Sequence, residues 1–370
     1  MAPASSTQFL PLSPAELSYL HSSLSLSPPI RPDGRTPTQL RPLIAETDIL
    51  ASANGSARVC FADGTEAVVG IKAEVEKSQW RPEHGAHLGT GGGDIEILGD
   101  DEDADNGNTE IEGKGENAWV EMSTDIPGFR DDDQLPVFLS AMLTEALLAS
   151  GKLKDRLYIN RRFHWKLYID ILLLSSTFSY PLPLLSLTTH LALLSSRLPR
   201  LKSELDEDPL FDDDWDASTF LYPLASGNPT KSTARTNRPP ITLLVIAVGQ
   251  NIIFDPSKEE LAVAEAVVAV SVGHLETGEG LKLLAIRTID PPSRLTPPGI
   301  PNSMNSTTGG IAPTSNQDAV TQQEVSDAGG VWRPPRGGIK RSLIGRIVKM
   351  ALEKGGVGEE IMEGLANVET

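Results

Sequence analysis

The stretch GSARVCFADGTEAVVGIKAEVE, residues 55–76, decides the fold. Ala57, Val59 and Phe61 recur at every second position, and so do Ala67, Val69, Ile71, Ala73 and Val75. That is the period of strands with one buried face. Asp63-Gly64 stands between the two runs and predicts a β-hairpin closed by a type I′ turn. Just upstream, RPDGRTPTQLRP (31–42) sets a proline and an Asp-Gly turn among Arg31, Arg35 and Arg41. Three guanidiniums beside a tight turn can hold a phosphate bidentately, or they can pair with carboxylates inside the fold.

Working outward, Ser13 and Glu16 form a capping box with Pro14 at the first helical position, which predicts a short helix. WVEMSTDI (119–126) reads as a strand. Leu135, Phe138, Leu139, Met142, Leu143, Ala146 and Leu147 then follow helical spacing. LYINRRFHWKLYIDILLL (157–174) reads as two strands, the second apolar on both faces and central in a sheet. A leucine stripe at 184, 187, 191, 194 and 198 predicts a helix. Beyond 240, ITLLVIAV is a buried strand and AVVAVSVGHLETGEGLKLLAI a further hairpin. IKRSLIGRIVKMALEK closes the pattern as an amphipathic helix. The order predicts a mixed α+β fold built twice, with a loose joint near 225–240.

The chain of 370 residues has a net charge of −18, unevenly spread. Residues 94–116 carry −9 and residues 204–216 carry −8, so the rest is near neutral and a polyanion partner is not excluded. Residues 77–118 read as a flexible acidic insert, 204–216 as an acidic loop, 225–240 as a linker and 290–338 as a disordered insert. The single cysteine, Cys60, gives no intramolecular disulfide and fits a reducing compartment. No secretory leader or membrane span is expected. Metal chemistry finds no support: among six scattered histidines only His84 and His87 are close, and they lie in the acidic insert. GTGGG (89–93) lacks the Lys-Ser/Thr of a phosphate-cradling loop. His190, within the leucine helix, reads as structural. No cofactor is expected.

RPDGR-x5-RP followed by SANGSARVCFADGTEAVVGIKAEVE resembles the opening of the ribonuclease-PH superfamily. HWKLYIDILLL is similar to that family's central strand, LLSLTTHLALLSSRLPRLK to the helix after it, and LLVIAVGQNIIFDPSKEELAVAEAVVAVSV to its second half. The resemblance implies a ribonuclease-PH-like α+β fold of two βαβα-type halves, 13–224 and 241–353, with a C-terminal tail at 354–370. Within the superfamily the likeness is to ring subunits of the eukaryotic RNA exosome. This implies ribonuclease-PH-like paralogues as partners (the mRNA transport regulator 3 type directly), S1/KH cap subunits, single-stranded RNA, and a nuclear, nucleolar and cytoplasmic location.

Two departures imply a catalytically silent subunit. Phosphorolytic members carry a Gly-Gly-Thr-Arg-Thr-like phosphate loop where this chain has SSTFSYPLP (175–183). Their paired aspartates fall, in a gapless match from Asp255, on Leu261 and Val267, neither of which can act as an acid or bind a metal. Arg31, Asp33, Gly34, Arg35 and Arg41 match the N-terminal motif and are expected to form a structural turn, with RNA phosphate contact the alternative. The RNA-binding candidates are Arg130, Arg161, Arg162 and Arg35. The alternative activity is a phosphate-dependent 3′-to-5′ exoribonuclease sharing a site with a paralogue.

Overall fold

A computed structural model describes residues 12–78, 115–175, 179–203, 207–222, 238–275, 280–299, 331–336, 338–366 and 368. Helix α1 (Pro14–Ser25) starts at the expected capping box, with both reciprocal bonds between Ser13 and Glu16 made. Strands β1 (Leu43–Thr47), β2 (Gly55–Phe61), β3 (Glu66–Lys77), β4 (Val120–Asp125) and β5 (Phe163–Leu173) form one sheet in the order β1-β2-β3-β5-β4, antiparallel except for β4 against β5. Helices α2 (Gln134–Leu148) and α3 (Lys152–Arg156) lie between β4 and β5 in the chain.

The hairpin at 55–76 is present, but its turn differs. Two central residues with positive φ define type I′; here Gly64 has φ +83° and Asp63 does not share the left-handed region. Gly64 N donates to Phe61 O and Phe61 N to Thr65 O, a longer turn with the glycine at its left-handed position. Asp63 is held there by its own side chain, which accepts from Thr65 N at 2.9 Å. Residues 157–174 also differ from the reading as two strands: only β5 is a strand, with a single bridge from Tyr158 to His164 before it. β5 sits one place from the edge and alternates, burying Leu167, Ile169, Ile171 and Leu173 and exposing Asp170 and Leu172.

Helix α4 (Leu182–Ser195) explains the architecture. A leucine stripe predicts one buried face, yet all fourteen residues are buried. The helix lies between β2 and β3 on one side and strand β8 (Ile241–Val248) on the other, and a helix covered all round needs no polar face. Most of its polar side chains find partners: Thr188 and Thr189 donate to the carbonyls of Leu184 and Leu185, and Ser186 accepts from Thr242 N at 2.7 Å, whereas both ring nitrogens of the buried His190 have no hydrogen-bond partner among the described residues. At its C-terminal end, the backbone of Ser196 presses on Gly55 so closely that a Cβ there would overlap it. Glycine at 55 is required by that approach.

Two short strands, β6 (Arg197–Leu198) and β7 (Thr219–Phe220), follow. β8, β9 (Asn251–Phe254), β10 (Ala266–His274) and β11 (Leu281–Ile289) form an antiparallel sheet in the order β11-β10-β8-β9, with the one-turn helix α5 (Lys258–Leu261) after β9. Helices α6 (Arg341–Leu352) and α7 (Val357–Ala366) close the chain. The expected tail at 354–370 thus contains a helix, which buries Val357, Ile361, Met362 and Leu365. One hydrophobic core runs through both sheets and α4, so the two halves are not loosely joined.

Of the expected flexible segments, 79–114, 204–206, 225–237 and 300–330 lie outside the described residues, as do His84, His87 and GTGGG. The ends of the segment 290–338 are ordered rather than disordered. Pro292–Leu295 form a 3-10 turn, and the buried Trp332 indole donates to Thr296 Oγ1 at 2.8 Å. Among the described residues no helix is long and apolar enough to cross a membrane, and no cluster of potential metal ligands occurs.

Candidate functional site

Arg31-Pro-Asp-Gly34 is a β-turn closed by Gly34 N donating to Arg31 O, with Pro32 in the position whose φ it presets and Gly34 at φ +75°. Asp33 accepts from the backbone and side chain of Arg35 at 3.1 and 2.6 Å. The turn lays three arginines against the segment between β9 and α5. Arg31 is buried and forks onto Glu260, Nε to Oε1 at 2.7 Å and Nη2 to Oε2 at 2.8 Å, with both side chains fully enclosed. Its remaining donors reach the carbonyls of Thr36, Phe254 and Asp255. Glu260 is placed by its own capping box, its carboxylate accepting from Ser257 N at 2.8 Å.

Asp255 is the second anchor. It is buried, with φ +47°, and takes Arg41 Nε and Nη2 at 2.9 and 2.6 Å, Arg41 N at 2.8 Å and Arg35 Nη1 at 2.9 Å. Burial alone would raise its pKa; the hydrogen bonds and charge of Arg41, with the charge of Arg35, outweigh that and hold it below the ordinary carboxylate value. Arg41 also reaches Asp63 in the hairpin turn at 2.6 Å and Ser179 Oγ at 2.7 Å, with its guanidinium 4.5 Å from the centre of the Phe61 ring. Burial would likewise raise Asp63, but its bonds from Thr65 and the charge of Arg41 lower it.

Three arginines therefore meet four carboxylates: Asp33, Asp63, Asp255 and Glu260. The cluster is formally −1, and its guanidinium forks are committed. A charge balance of that sign repels a phosphate, and the arrangement ties the first sheet's hairpin to the second sheet's β9–α5 corner. Arg35, an RNA candidate on sequence, belongs to this cluster.

The other RNA candidates lie on separate segments. Arg130, on the loop entering α2, is exposed and 3.4 Å from Asp132, while its backbone N donates to Asp133. Arg161 and Arg162 precede β5 and are exposed. Arg162 pairs with Asp208 at 2.6 Å, so the acidic loop folds back on this basic pair. Leu261 and Val267, which the resemblance sets against the family's acids, are buried. Of SSTFSYPLP, residues 176–178 lie outside the described residues. The sequence reading passed over the arginines' partners. Ser257-x-x-Glu260, a capping box, was the visible signal for one of them; nothing local marked Asp255 as the point where Arg35 and Arg41 converge.

Residues 39–199 match the 3′ exoribonuclease family, domain 1. With the hairpin, the α4 sandwich and the arginine turn in place, the chain belongs to the ribonuclease-PH family of 3′ exoribonucleases. Among its relatives, it is similar to the exosome complex component RRP42 of Saccharomyces cerevisiae, 30% identical over 70% of this chain and 81% of that protein. It is also similar to the exosome complex component rrp42 of Schizosaccharomyces pombe, 31% identical over 70% of this chain and 78% of that protein. A solved archaeal exosome core matches at 17% identity, covering 74% of this chain and 84% of that one with a TM-score of 0.46.

Proposed function

We propose that this chain is a non-catalytic ring subunit of an RNA exosome core, framing a channel through which RNA is led for 3′-to-5′ processing and degradation. The observation that carries the reading is the 30% identity to a yeast exosome component over four-fifths of that protein's length. Two physical features support catalytic silence. Leucine and valine at 261 and 267 can neither transfer a proton nor hold a metal. The arginines nearest that corner are already neutralised by carboxylates. The partners implied are ribonuclease-PH-like paralogues, one of the mRNA transport regulator 3 type as direct neighbour, S1/KH cap subunits and single-stranded RNA. The location implied is the nucleus and nucleolus, with a cytoplasmic pool. Arg130, Arg161 and Arg162 are the proposed RNA contacts in the first half.

The rival reading is a phosphate-dependent exoribonuclease, favoured by the family's description and by a Dictyostelium discoideum relative, 23% identical, named a putative exosome complex exonuclease RRP42. Affinity purification of the tagged chain, with mass spectrometry of its partners and a phosphorolysis assay on single-stranded RNA, separates the two. Ring paralogues recovered without nucleoside diphosphate release support the silent subunit. A purified chain that releases nucleoside diphosphates overturns it.

A further inference from the structure

Residues 331–354, VWRPPRGGIKRSLIGRIVKMALEK, hold seven basic side chains and one acid, Glu353, in a chain of net charge −18. Helix α6 turns this composition into a surface. Leu343, Ile347 and Ala351 are buried on the side that meets β10, β11 and α7. Arg341, Ser342, Gly345, Arg346 and Lys349 are exposed. With 3.6 residues per turn these five fall within an arc of about 140°, and Arg341 to Lys349 spans about 12 Å. Arg336 and Lys340 before the helix and Lys354 after it are exposed too.

Elsewhere on this protein several exposed cations find carboxylates, among them Arg58 with Glu66, Arg162 with Asp208 and Arg287 with Glu145, although Lys77 and Arg200 find none among the described residues. On α6 the pattern stops. Among the described residues no carboxylate lies within ion-pair distance of Arg341, Arg346 or Lys349, and Arg346 spends one donor on Gln250 O at 3.0 Å. Lys340 and Arg341 also stand at the positive end of the helix dipole, whose first turn has no acid. Helix stability favours the opposite sign there. The cations are therefore not explained by the fold they stand on.

We propose that this face of α6 is a docking strip for the phosphate backbone of single-stranded RNA. The inference rests on the functional reading above and adds a second RNA contact, on the C-terminal half. The chemistry favours RNA over a protein partner, because the exposed arc presents no apolar or aromatic side chain, and stable protein interfaces are anchored by such residues. With no aromatic to stack on a base, the strip holds phosphates and does not read sequence.

The test is fluorescence anisotropy of the full chain with a labelled oligouridine across a range of salt concentrations, for the wild type and for the Arg341→Gln/Arg346→Gln/Lys349→Gln variant. Three lost phosphate contacts lower the slope of log K against log salt by about 2, at about 0.7 per contact for single strands. Affinity at low salt falls at least tenfold by our expectation, with an unchanged far-UV circular dichroism spectrum. An unchanged slope in the folded variant, or no RNA binding by the wild type, overturns the strip. So does a variant that keeps its slope but loses a ring paralogue on co-purification, which would assign the face to a protein. Ring membership is read separately: a chain that assembles but keeps its slope sinks the strip alone, and one that loses its slope but never assembles sinks the ring reading alone.

Discussion

Arg31 spends its whole guanidinium inside the protein, on the Glu260 carboxylate and four carbonyls. Removing one member of such a buried pair leaves the other charge without compensation, at a cost of about 3–5 kcal/mol. Glu260→Gln is therefore expected to lower the unfolding free energy, read by urea titration, by that order. Arg130→Gln, on an exposed loop, is expected to leave it within about 0.5 kcal/mol. The same cluster sets an acid limit. Asp255 and Asp63 have pKa values held below their ordinary range in the fold. Their stabilisation is complete above the unfolded-state value of about 4 and is lost as pH falls from there toward the lowered values, because the unfolded chain then binds more protons. Urea titrations at pH 7 and pH 3 should show this loss, and Asp63→Asn should show a smaller one. An equal loss in the variant would mean that Asp63 is not part of the acid response.

Elements were legible in the sequence where periodicity alone decides them, as in the hairpin at 55–76 and the capping box at Ser13. They were misread where tertiary surroundings decide. The leucines of α4 announce a helix, but its burial on every side depends on a second sheet that closes over it some fifty residues later in the chain. β5 carries a long apolar run because its inner face is covered, while its outer Asp170 and Leu172 are exposed. The turn at Asp63 departs from type I′ through a side-chain bond that an Asp-Gly pair does not specify. At α4 two outcomes are expected. Leu191→Ala, at a fully buried position, costs about 2–5 kcal/mol by calorimetry or urea melting. Gly55→Ala forces strand β2 off Ser196 and costs about 1–3 kcal/mol. A Gly55→Ala protein as stable as the wild type would show that the close approach is not needed.

At the scale of the whole molecule, α4 and the arginine cluster bind the two sheets into one body. The cluster could not be read from the sequence: Arg31 meets a partner 229 residues away, and Arg41 one 214 residues away. The proline and Asp-Gly of RPDGR mark the turn locally, but no local pattern encodes which distant carboxylates its arginines meet. The same closeness bears on activity. Leu261 and Val267 are buried, and Val267 lies in register between Ile246 of β8 and Ile289 of β11, at the centre of the second sheet. Aspartates placed there enter an apolar setting, where an uncompensated carboxylate is costly. The arginines that might have met them are engaged with Asp255 and Glu260. The Leu261→Asp/Val267→Asp variant is accordingly expected to melt at lower temperature and to release no nucleoside diphosphate from single-stranded RNA in the presence of phosphate. Release that depends on phosphate and on both aspartates would show that the rest of a phosphorolytic site persists in this chain.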